Sequence, residues 1–252
     1  MITVAMHRPW LVARLPRPMR VLSWAPYGAG YNTTDTILWR EVRNSDLTLD
    51  FDADSWTRSE VAAAGHGTDV VAMLTSRDIG TWVARQVRVG GVAASCVVTA
   101  GLSNAESVGY RLPWHSADGS GAPGQGGPGQ EEPGQDGPNP GYGTINMAVA
   151  TDAALTEAAQ LEAMAITVQA RTAAVIEGGL RLATGIATGT GTDCVALACD
   201  AGAGRYAGLH TEAGEAIGSA VRQAVAGAVN DWLRWRAAKR TQAPRTLGGS
   251  PP

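Results

Sequence analysis

Residues 212–236 read EAGEAIGSAVRQAVAGAVNDWLRWR, and this stretch decides the fold class. Ala213, Ala216, Ile217, Ala220, Val221, Ala224, Val225, Ala228, Val229 and Trp232 recur at three- and four-residue steps. That period lays a single apolar stripe along one face of a helix, with polar residues opposite. Thr211 stands immediately before it as a natural N-cap. A one-sided stripe must be covered, either by the core of the same chain or by a dimer seam, so the sequence allows a homo-oligomer. Just upstream, Cys194–Cys199 is a short apolar run of the length expected for a buried strand.

Working outward, strands and helices interleave. Residues 155–176 read as a second long helix, led in by a strand over Met147–Ala150. Arg85–Val89 and Val92–Ala100 flank Gly90 and Gly91, a hairpin signal. Further strands are expected at Arg20–Trp24, Ile37–Val42 and Asp69–Thr75. A short helix is expected over Ser55–Ala64, capped by Asp54 or Ser55, and another over Asp78–Val83. The pattern predicts one α/β domain, with α+β the alternative: a mixed sheet packed with two long helices from the C-terminal half. Its bounds read as 19–236. Residues 1–18, punctuated by Pro9, Pro16 and Pro18, read as a loosely ordered arm. Gly, Pro and Gln dominate 116–142, a composition with too little apolar surface to offset its ordering entropy, so a disordered insertion is expected there. A disordered tail is expected over 237–252.

Composition excludes several classes. The chain has 252 residues, 44% hydrophobic and 17% charged, enough for a sizeable core. Its net charge of -3 is spread evenly with no basic block, which argues against nucleic acid or an anionic membrane as partner. No apolar run has the length of a membrane span, and no export signal is read at the N-terminus, so a cytoplasmic protein is expected. Cys96, Cys194 and Cys199 are too few and odd in number for a disulfide framework and read as reduced core thiols. The four histidines lack metal-ligand spacing, so no metal site is expected.

Three clusters can carry chemistry. Ala183–Asp193 holds threonines at 184, 188, 190 and 192 among glycines at 185, 189 and 191. Such a loop brings backbone close to a ligand, and its hydroxyls add donors and acceptors. Thr188, Thr190 and Thr192 are candidate binding residues, and Asp193 can orient a base. His210 lies at the positive end of the last helix's dipole, where the neutral, proton-accepting imidazole is favoured. Thr211 and Glu215 flank it. Ser103 and Asn104 follow a strand and can project into a cleft, while Asn146 precedes the next strand; side-chain amides there suit an amide-rimmed ligand or an oxyanion.

In order along the chain, these clusters resemble the adenosylcobinamide amidohydrolase (CbiZ) family. The resemblance rests on Val21–Pro26 with Gly28 and Gly30, Met73–Thr75, Val98–Ala105, Gly143–Asn146, Ala183–Asp193, and Ala207–Thr211 with Gly214. It implies hydrolysis of the aminopropanol amide of adenosylcobinamide to adenosylcobyric acid in cobamide (vitamin B12) salvage. The partner is then a corrinoid small molecule. No protein-held cofactor is implied, because the cobalt belongs to the substrate. A Glu-Ala-Lys-Thr stretch usual in the family reads Gln169-Ala170-Arg171-Thr172 here, and Trp24 and Ala29 stand where small residues and glycine are more usual. The expected mechanism uses His210 as general base on water, oriented by Asp193, with Asn146 or the Thr190–Thr192 amides holding the oxyanion. A threonine or Ser103 nucleophile is the alternative. A non-catalytic corrinoid or anion carrier, or a phosphate-binding enzyme, are the readings from other classes.

Overall fold

The computed structural model describes residues 1–43, 46, 51–110 and 143–242. The chain runs through β1 (Thr3–His7), β2 (Trp10–Ser23), β3 (Gly30–Glu41), α1 (Ala53–Ala63), β4 (Val71–Thr75), β5 (Val83–Val89) and β6 (Val92–Ala100). It continues through β7 (Ala105–Glu106), β8 (Ile145–Leu155), α2 (Glu157–Glu177), β9 (Arg181–Leu182), β10 (Gly185–Ile186), β11 (Gly189–Thr190), β12 (Cys194–Ala201) and α3 (Glu212–Gln242). Eight strands make one mixed sheet in the order β4-β3-β2-β12-β8-β6-β5, with β1 paired to β2. The β3–β4 and β8–β12 pairs are parallel and the others antiparallel. The expected α/β architecture with two long C-terminal helices is therefore present.

Period-two alternation decides what each face of the central strands meets. Met147 and Val149 of β8, Val195, Leu197 and Cys199 of β12, and Cys96 and Val98 of β6 pack under α2 and α3. The intervening Ala148, Ala150, Ala196, Ala198 and Val97 form the other face, and they pack against Leu11, Ala13, Ile37, Trp39, Val71 and Met73. The sheet thus curls over itself. Laid flat, β4 and β8 would stand four strand spacings apart, roughly 19 Å. Instead Asn146 Nδ2 of β8 donates to Leu74 O of β4 at 2.7 Å. Alanines on the inner face leave room for that approach.

The curl also corrects the expectation of a loose N-terminal arm. Residues 3–7 and 10–18 lie in strands. Arg14 faces Thr36 while Met19 faces Thr34, so five residues of β2 span what two residues of β3 cover. Pro16 and Pro18 lie inside this bulge, where a missing N–H costs no ladder bond and the strand can bend. Helix α1 begins two residues earlier than expected: Asp52, not Asp54 or Ser55, is the cap, accepting the amides of Asp54 and Ser55. The helix expected at Asp78–Val83 is a single 3₁₀ turn over Ile79–Thr81. The fraying expected from residue 237 does not begin there. Ala237, Ala238 and Lys239 are strong helix formers, and Lys239 lies over the Trp235 ring. The 116–142 insertion and the tail from 243 fall outside the described residues.

The apolar stripe of α3 is buried in the core of its own chain, under β5, β6 and α2, so it is no dimer seam. Thr211 Oγ1 caps the helix by accepting from Gly214 N at 3.0 Å. Ile217 is fully buried. Ile217→Ala is expected to destabilise the domain by about 2–5 kcal/mol through lost contacts and a residual cavity. Urea unfolding reads this as a lower midpoint at unchanged slope, and a loss under about 1 kcal/mol would contradict the core placement.

Candidate active site

One end of the sheet gathers most of the polar segments. The C-terminal ends of β2, β4 and β6 meet the N-terminal ends of β8 and β12 there, with Thr99, Asn146 and Cys194 side by side in register. Asp193, its side chain only 6% exposed, is the hub. Its Oδ1 accepts from Ile145 N at 2.9 Å and from Thr190 Oγ1 at 2.5 Å. Its Oδ2 accepts from Thr190 N at 3.0 Å and pairs with Arg171 Nη1 at 3.1 Å. A threonine hydroxyl donating to a carboxylate that is itself held by other groups has the geometry of a nucleophile with its base.

The surrounding loops are tied to this hub. Thr144 Oγ1 donates to Thr192 O at 2.8 Å, and Thr192 Oγ1 donates to Gly143 O at 3.0 Å. Trp24 Nε1 donates to Asp193 O at 2.6 Å. Thr188 Oγ1 accepts from Val108 N at 2.8 Å and fastens the segment that follows β7. Glycine is required where chains press together. A β-carbon on Gly143 would sit 2.7 Å from Gly101 O and Ser103 N, and one on Gly189 would sit 2.7 Å from Asp193 Oδ2. Two buried polar atoms beside the Thr192–Asp193 turn lack protein partners: Asn104 Oδ1, an acceptor, and Arg171 Nε, a donor. Buried groups of this kind are normally satisfied.

Asp193, Asn146, Thr188, Thr190, Thr192, Ser103 and Asn104 thus share one end of the fold. His210, Thr211 and Glu215 do not. Strand β12 runs eight residues between Asp193 and the loop that carries His210, roughly 26 Å at the usual rise. The expected orientation of His210 by Asp193 does not occur; the aspartate instead orders Thr190 and Arg171. His210 is exposed beside a shallow groove of about 450 Å³ lined by Glu162, Gln169, Tyr206, Leu209 and Thr211. Glu162, not Glu215, is the carboxylate of that groove, and it accepts from Ala207 N at 2.6 Å. Gln169 faces the groove while Arg171 faces Asp193, as expected for residues two apart on a helix. Asn146 is also corrected. Its side chain is fully buried, staples β4 through Leu74 O and accepts from Thr144 at 3.1 Å, so it is a framework residue and not an oxyanion donor.

Two participants escaped the sequence reading. Thr144 was visible only as part of a motif. Arg77, 9% exposed, pairs with Asp231 at 2.8 Å and lies over Trp235, clamping α3 to the segment after β4 beside Gly101. A lone arginine after a strand gave no signal of this. The cysteines are buried and free; burial pushes the Cys194 thiol up to about 12 and Cys96 higher still, so neither supplies a thiolate. Among the described residues no group of His, Cys, Asp and Glu is placed to hold a metal ion, and no helix is long and apolar enough to cross a membrane.

Fold and site together define a single α/β domain with a buried carboxylate–hydroxyl pair at one end of its sheet. The chain belongs to the adenosylcobinamide amidohydrolase family, whose profile matches residues 2–237 of 252. The protein is accordingly an amidohydrolase acting on adenosylcobinamide, and nothing in the fold favours a non-catalytic carrier. No curated protein matches the sequence. Five of the six segments that carry the family resemblance meet at the Asp193 end; Ala207–Thr211 is the exception.

Proposed function

We propose that the aminopropanol amide of adenosylcobinamide is cleaved at the Thr190–Asp193 end of the sheet. The observation that carries this is the 2.5 Å hydrogen bond from Thr190 Oγ1 to an Asp193 carboxylate fixed by Ile145 N and Arg171. Asp193 takes the hydroxyl proton as Thr190 Oγ attacks the amide carbon. The C–N bond breaks, and the same proton passes to the departing amine. Water then hydrolyses the threonyl ester with Asp193 again as base, which releases adenosylcobyric acid and restores Thr190. Exposed Ser103 and half-buried Asn104 form part of the rim that meets the corrinoid.

The corrinoid brings its cobalt as substrate. The evenly spread charge and sparse, buried cysteines support a cytoplasmic enzyme that takes a small molecule and no nucleic acid. Incubating the purified chain with adenosylcobinamide and following products by mass spectrometry tests the activity. Adenosylcobyric acid and aminopropanol should appear in equal amounts. Corrinoid bound without turnover would sink the proposal.

A further inference from the structure

We infer that Trp24 is a stacking wall of the substrate site, taking a flat conjugated face of the corrinoid. This rests on placing the reaction at Thr190 and Asp193. Single exposed apolar side chains are common and need no explanation, but Trp24 differs in how it is held. It follows the last residue of β2, between Ser23 and Ala25, which are 4% and 1% exposed. Ser23 Oγ donates to Val195 O at 2.8 Å and accepts from Ala25 N at 3.0 Å, so the backbone on both sides is pinned to the sheet. Trp24 itself is 44% exposed, yet its indole N–H is fixed at 2.6 Å to the carbonyl of Asp193, the residue that carries the base.

A large ring is therefore held rigid and open beside the reacting pair. An indole so fixed loses little conformational freedom when a second flat ring lies on it, which is why rigid aromatics dominate binding surfaces. The substrate offers two such faces, the adenine of its upper ligand and the conjugated edge of the corrin. Removing an aromatic platform typically weakens stacking by about 5- to 150-fold.

Steady-state kinetics of Trp24→Ala and Trp24→Phe, with adenosylcobinamide and with a cobinamide bearing a small upper ligand, decide the matter. Trp24→Ala should raise KM at least about fivefold with kcat within threefold of the parent. Trp24→Phe, which keeps a ring but loses the N–H, should restore most of the affinity. A rise confined to the adenosylated substrate assigns the adenine face, and a rise for both assigns the corrin. An unchanged KM in Trp24→Ala, a fall in kcat alone, or no recovery with phenylalanine would overturn the inference and leave Trp24 as a prop for the Asp193 loop. Thr190→Val separates the two readings: if it stays active the reaction lies elsewhere, whereas if it is inactive and Trp24→Ala is normal, only the stacking role fails.

Discussion

Thr190→Val is expected to lower corrinoid amide turnover by about 10²–10⁴-fold, the usual cost of removing a group that takes part in proton transfer. Valine keeps the shape and the backbone N–H that donates to Asp193 Oδ2. Asp193 Oδ1 retains Ile145 N as a donor. The loop should therefore remain folded, and circular dichroism should be unchanged. Thr190→Ser returns a hydroxyl to the same position and should recover activity to within about tenfold of the parent. A hydroxyl that merely tied the loop would give a different pattern, with stability lost in the valine variant and turnover largely kept.

Arg171→Ala is expected to give the largest loss of stability. Arg171 and Asp193 form an ion pair whose side chains are only 13% and 6% exposed. Removing the cation leaves a buried carboxylate without its charge partner, which costs about 3–5 kcal/mol. For a domain of this size that lowers Tm by roughly 6–20 °C, readable by calorimetry. Arg171→Lys restores the charge but not the planar fork, so it should recover most but not all of the stability. Arginine at this position makes the ion pair with Asp193, so the departure from the usual family stretch at 171 leaves the hub intact.

How much of this was visible beforehand depends on the range of the interactions concerned. The α3 stripe, the α2 helix and the hairpin at Gly90 and Gly91 follow from local period and turn chemistry, and all are present. The N-terminal strands were hidden because Pro16 and Pro18 read as breakers, whereas a bulge tolerates both. Asn146 and the Gly/Thr loop were legible as a polar cluster. That Asn146 serves β4 was not, because the curl bringing Leu74 to it is a property of the whole sheet. The pairing of His210 with Asp193 failed for a simple reason: their nearness in sequence conceals the full length of β12 between them. Thr190 and Asp193 are three residues apart, but that the hydroxyl and the carboxylate bond one another depends on how the loop folds.

The two ends of the sheet can be set against each other in one assay. Initial rates of adenosylcobyric acid formation by Thr190→Val and His210→Ala, measured side by side on folded protein, should differ by at least about a hundredfold. Thr190→Val should be nearly inactive, and His210→Ala should stay within about threefold of the parent, because its exposed imidazole lies at the far end of β12. An inactive His210→Ala beside an active Thr190→Val would place the chemistry in the groove of Glu162 and Tyr206 and contradict the assignment made from Asp193.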